Sequence, residues 1–136
     1  MEAKIKKDVI EAARTVYESL GAGHEEAIYR EALSVELQER GYTVKAEMPV
    51  SITYTTSGGK KITIGSAKVD LYLEKGSSKI ILELKASSPL IKEKSKKSKK
   101  DMKEYAQLQK YLSSLGMEGL LINFPFPPKE EPEVIE

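Results

Sequence analysis

The sequence predicts an α/β domain with a mixed central sheet flanked by helices, and three observations lead there. Apolar residues recur at helical spacing through the first forty positions, alternate with polar ones from Tyr42 to about Ala86, and close up into an unbroken apolar run after one further helix. A length of 136 residues fits one domain with a real core. That domain is expected over residues 1–124, with the Pro/Glu-rich "PFPPKEEPEVIE" (125–136) as a poorly ordered tail.

The elements follow in order. Ile5, Val9, Ala12, Val16 and Leu20 form the apolar stripe of a first helix, Ala3 to Leu20, which stops at Gly21. "GAG" (Gly21–Gly23) is a break. A second helix runs from about His24 to Arg40, with Glu26, Tyr29 and Leu33 on one face, and ends at Gly41. "YTVKAEMPVSITYT" (42–55) is a long strand with a break expected near Pro49, because proline cannot donate to a ladder. "SGGK" (Ser57–Lys60) is a hairpin turn. "KITIG" and "AKVDLYLE" are two strand pieces joined by a bend or bulge at Gly65-Ser66. "KGSS" turns into the strand "KIILELKAS", a lysine-rich stretch leads into a helix ending near Gly116, and "EGLLINF" is a strand covered on both sides.

Composition removes several chemistries. With no cysteine there are no disulfides, thiol nucleophiles, zinc–thiolate sites or iron–sulfur clusters, and His24 alone cannot build a histidine-rich metal site. Any metal must be hard and oxygen-ligated. A net charge of +1 gives no global attraction for nucleic acid, so only a local patch can supply one. No run of about 18 apolar residues is present, so no membrane span is expected and a cytoplasmic protein is the default.

The hairpin "VDLYLEKGSSKIILELK" (69–85) holds the chemistry. Its turn at Gly76-Ser77 sets Asp70 opposite Glu83, where facing Cβ atoms are about 4.5–5.5 Å apart. Lys85 projects from the same face as Glu83, while Ile80, Leu82 and Leu84 point into a packed layer. Two facing carboxylates repel unless something positive lies between them. The plainer reading is a solvent-exposed sheet face, but "IILELK" has the look of a central strand. A divalent cation would explain acids there, and two acids with a lysine suit metal-assisted phosphodiester cleavage.

At this point the sequence resembles the PD-(D/E)XK nuclease superfamily. Asp70 followed by Glu83-Leu84-Lys85 has the form of its D…ExK core. "GHEEAIY" matches G-x-x-E-x-x-Y at Gly23, Glu26 and Tyr29, the signature of the GxxExxY group. "QLQKY" matches the Q-x-x-x-Y element of RecB-like and lambda-exonuclease-like members at Gln107 and Tyr111, and Gly119–Phe124 looks like the group's last strand. The resemblance implies a restriction-endonuclease-like αβββαβ core. It also implies that Asp70, Glu83, the Leu84 carbonyl and Glu26 bind Mg2+ or Mn2+, that Lys85 is catalytic, and that Gln107 and Tyr111 line the site. The usual proline before the aspartate is replaced by Val69.

Each of these residues also has an ordinary explanation. Gln107 suits a solvated helix, and Tyr29 and Tyr111 suit aromatic packing with a wet hydroxyl. Glu25 and Glu26 suit the dipole at a helix start. Tyr105, Leu108, Leu112 and Leu115 form the core stripe of the later helix.

"KEKSKKSKKDMK" (92–103) reads as a solvated loop. Alternatively, Lys96, Lys97, Lys99, Lys100 and Lys103 are a sequence-independent contact for phosphates. No exposed aromatic platform is evident beyond Tyr105. The leading expectation is a metal-dependent nuclease with little sequence specificity, nucleic acid as partner (DNA before RNA) and a homo-oligomer open. A non-catalytic nucleic-acid-binding module on the same fold, and an interaction domain using the tail, are the alternatives.

Overall fold

The computed structural model describes residues 1–90 and 103–136. Two helices, α1 (Ala3–Leu20) and α2 (Glu26–Glu39), precede three strands, β1 (Thr43–Thr55), β2 (Lys61–Lys75) and β3 (Ser78–Lys85). Helix α3 (Lys103–Leu115), β4 (Glu118–Asn123) and β5 (Glu133–Ile135) complete the order. The sheet runs β1-β2-β3-β4-β5, antiparallel except for the parallel pair β3–β4. This is the mixed α/β architecture of a restriction-endonuclease-like fold, with β3 in the middle of the sheet. No helix among the described residues is long and apolar enough to cross a membrane.

Each face of the sheet has its own core. Ile5, Val9, Val16 and Tyr17 of α1 and Tyr29, Leu33 and Leu37 of α2 pack on Leu71, Leu73, Ile80, Leu82, Leu84, Leu120 and Ile122. On the opposite face Leu108 and Leu112 of α3 meet Val50, Val69, Ile81, Leu121 and Ile135. Alternation along β4 therefore serves both layers, which is why its sequence carries no polar face. α3 sits close because position 119 is glycine: a Cβ there would lie 2.7 Å from the Ile81 carbonyl oxygen and 2.8 Å from a Leu112 methyl carbon.

Three expectations change. β1 is unbroken at Pro49, because β1 is the edge strand, where a missing N–H disrupts no central ladder. The two pieces expected around Gly65 are one strand, with a bulge where Ile52 pairs with Gly65 but Thr53 pairs with Thr63.

The poorly ordered tail after Phe124 is the third. Glu133–Ile135 adds β5 to the sheet, Tyr17 donates to the Pro125 carbonyl, and Ile135 is buried. The cause is Glu133, only 3% exposed. It accepts hydrogen bonds from the Leu90 N–H (2.7 Å) and Asn123 Nδ2 (2.8 Å) and pairs with Lys129 Nζ (3.1 Å). Asn123 in turn accepts from the Ser87 N–H at 3.1 Å, so the returning segment pins the chain just beyond Lys85.

Candidate active site

The site lies where β2 and β3 separate. Their ladder ends at Leu71–Leu82, one pair before Asp70 and Glu83. Beyond it, side chains replace backbone as partners. The Asp70 N–H donates to Glu83 Oε1 (3.3 Å), and the Leu84 N–H donates to Asp70 Oδ2 (2.7 Å). The two acids thus stand together as the turn predicts, but as plugs in a fork instead of a regular cross-strand pair.

The fork coincides with a rotation of the hairpin. Val44 and Leu71 belong to the α1–α2 side, whereas Met48, Val50 and Val69, at the same alternation, belong to the α3 side. Between them sits Glu47, in the left-handed region at φ 52°. The two strands exchange faces together across Glu47 and Asp70.

Helix α2 brings a third acid. The Tyr29 hydroxyl donates to the Gly21 carbonyl (2.6 Å) and accepts from the His24 N–H (3.3 Å), while its ring stacks on Phe124 at 4.4 Å. This fully buried tyrosine ties the glycine break to the start of α2 and so fixes Glu26. The Glu26 carboxyl is near enough to feel the charges of Asp70, Lys85 and Arg30.

Two cations hold this cluster incompletely. Arg30, one turn beyond Glu26, places Nη1 3.6 Å from Asp70 Oδ1 and Nη2 3.0 Å from Glu47 Oε1. Burial first, then the neighbouring Asp70 carboxylate, pushes the Glu83 carboxyl up to about 8, with Lys85 opposing. Glu26 is raised as well, by burial and then by Asp70, with Lys85 and Arg30 pulling the other way. The cluster holds more negative charge than its cations neutralise.

Other anticipated residues lie elsewhere or are only partly described. On α3 Gln107 Nε2 donates to the Tyr111 hydroxyl at 2.9 Å. Among the described residues no hydrogen bond or ion pair ties either of them to Asp70, Glu83 or Lys85. Tyr111 and Tyr105 pack against the α3-side core. Lys103 opens α3 and is exposed, whereas Lys96, Lys97, Lys99 and Lys100 lie outside the described residues. Sequence reasoning missed Arg30 and Glu47. Arg30 had a signal, its i,i+4 spacing from Glu26; Glu47 had none, since its role arises from β1 folding back beside α2.

A model of the PD-(D/E)XK nuclease superfamily matches residues 3–135. The chain belongs to this superfamily. The superfamily is one of nucleases in which divalent metal ions are usual. None of the curated proteins matches the chain. The crystal structure of SSO0001 is similar at a TM-score of 0.48 and 21% identity, over 96% of this chain and 65% of that one. The chain thus spans less than two thirds of the length of that protein.

The donor chemistry suits such an ion. Glu26, Asp70 and Glu83 offer only hard carboxylate oxygens. Among the described residues no three acidic or histidine side chains form a ready cage. The fit is therefore one of charge and ligand type around the shared Asp70.

Proposed function

We propose that this chain is a divalent-metal-dependent nuclease of the GxxExxY group, with a RecB-like, lambda-exonuclease-like core, that hydrolyses phosphodiester bonds of nucleic acid with little sequence specificity. DNA is the first substrate to try. The observation that carries the reading is the fork between β2 and β3, where Asp70 and Glu83 take the place of ladder partners, with the Glu83 carboxyl pushed up to about 8 by burial and then by the Asp70 carboxylate. A merely structural pair of acids would not be left under-neutralised on the central strands.

In this reading Asp70, Glu83, Glu26 and the Leu84 carbonyl hold Mg2+ or Mn2+. The bound ion lowers the pKa of water and neutralises phosphate charge. Lys85, on the strand of Glu83, orients the attacking water or meets charge developing on a phosphate oxygen. Arg30 positions Asp70 and keeps the acids from repelling one another before the ion arrives. Gln107 and Tyr111 line the approach from α3, and Lys103 with Lys96, Lys97, Lys99 and Lys100 contacts backbone phosphates.

The test is cleavage of end-labelled single- and double-stranded DNA with Mg2+ or Mn2+ against EDTA, with Glu83→Ala alongside. Metal-dependent products lost in the variant support the reading, and their lengths separate exonuclease from endonuclease action. No products, together with a retarded band that disappears when the Lys92–Lys103 run is neutralised, would point to a binding module instead.

A further inference from the structure

The outer half of the β1–β2 hairpin starts beside α3, where Ile52 and Thr53 share a cleft with Gln109, Lys110 and Ser113, and runs on as an exposed ribbon. From Ser51 to Ser66 every residue except Thr56 is exposed. One face of this ribbon carries Ile52 (37% exposed), Tyr54 (55%) and Ile62 (40%), with Ile64 (64%) in the adjoining bulge. Tyr54 lies directly across the ladder from Ile62. A two-stranded ribbon is marginal by itself in water, and apolar side chains gathered on a projecting face mark a contact surface.

The edge of the ribbon indicates what covers it. β1 is the outermost strand of the described sheet, so its outward backbone groups face away from β2. Its inner half carries devices that keep an edge from pairing: Lys45, Glu47 in the left-handed region, and Pro49. Its outer half, Val50 to Thr55, has neither charge nor proline and alternates Val, Ile and Tyr with Ser and Thr. A nucleic-acid ribbon would need cations along its length, and here Lys60 and Lys61 stand only at the turn. The segment is instead complementary to itself. In an antiparallel pairing about a two-fold axis each copy offers the same N–H and C=O groups to the other, and the apolar residues of both fall on a shared face.

We propose that this chain forms a two-fold dimer by edge-to-edge pairing of Val50–Thr55 with the same segment of a second copy, joining the two sheets and packing Ile52 and Tyr54 of one copy side by side with those of the other across the seam. The proposal stands apart from the nuclease reading, since the arm contains none of the residues assigned to the site.

The experiment is the solution mass of the full chain by light scattering across a concentration series, without nucleic acid. Wild type is expected at twice the chain mass and Ile52→Lys/Tyr54→Lys at the chain mass. Val35→Lys, at an equally exposed (49%) apolar position on α2, should remain dimeric. Because the chain has no cysteine, Thr53→Cys provides a second readout that leaves the apolar face intact. Mild oxidation should cross-link Thr53→Cys into covalent dimers and leave Val35→Cys without a cross-link. A wild type monomeric at every concentration overturns the proposal, as does an arm variant of unchanged mass. An arm variant that loses only nucleic-acid affinity, from a monomeric wild type, would assign the face to nucleic acid and also overturn it.

Discussion

Two buried acids on this sheet make an instructive pair. Glu133 is more deeply buried than Glu83, yet it receives a backbone N–H, an amide and an ammonium, so its charge is met on every side. Glu83 receives the Asp70 N–H, but burial and then the Asp70 carboxylate hold its proton up to about 8. Both sit next to the same stretch of chain, Lys85 to Leu90. Burial alone therefore does not decide whether an acid is settled or strained. What separates them is whether the surrounding groups finish the job of neutralising it.

Substitution should separate the two roles, and the largest effect is expected at Glu83. Glu83→Ala should lower metal-dependent cleavage by at least about a hundredfold while the melting temperature of the metal-free protein near neutral pH holds or rises, because a carboxyl disfavoured by burial and by Asp70 is removed. A cleavage rate equal to wild type would remove Glu83 from the site. Glu133→Leu should do the reverse. It leaves the Leu90 N–H, Asn123 and Lys129 without their acceptor and should cost about 2–3 kcal/mol in a urea titration. Binding of Mg2+ by the folded fraction, read by calorimetry, should be unchanged. Loss of Mg2+ binding with intact stability would make the two acids one site.

The effect of pH sharpens the contrast. Glu83 binds its proton more tightly folded than unfolded, so it adds stability below 4.5, and that contribution is lost as pH rises through about 8. Glu26 is shifted in the same direction. The melting temperature of the cation-free protein should therefore decline across that interval more steeply than in Glu83→Gln, and Mg2+ should oppose the decline. Superimposable profiles for the two proteins would count against a crowded acid. The smallest effect is expected from Tyr29→Phe. It leaves the Gly21 carbonyl and His24 N–H to find other partners, at about 1 kcal/mol, with weaker Mg2+ binding as Glu26 loosens.

Much of this was readable in the sequence because it depends on local rules. The bounds of α1 follow from its apolar spacing and from Gly21, which takes φ 72° there. The meeting of Asp70 and Glu83 follows from counting outward from a short turn. The fork itself was not readable, because a ladder that ends one pair early leaves no mark in residue identity. The ordered C-terminal segment was hidden by its prolines and glutamates. Its strand is three residues long, too short for any period, and its anchor is a glutamate that finds partners on Leu90, Asn123 and Lys129. Glu47 joins Arg30 only because β1 folds back beside α2, a long-range fact that no motif reports.

The plugged fork has a consequence for how the sheet responds to its surroundings. Ordinary strands are sewn together by amides and carbonyls, whose strength is indifferent to mild changes of pH or salt. Here the stitches at Asp70 and Leu84 are made by carboxylates, so the seam between the second and third strands is adjustable. A cation that draws those oxygens toward itself must loosen its own stitching, and the two amides become natural reporters of that exchange. Their hydrogen-exchange rates can follow occupancy of the site without any substrate being cut, turning the end of the ladder into its gauge.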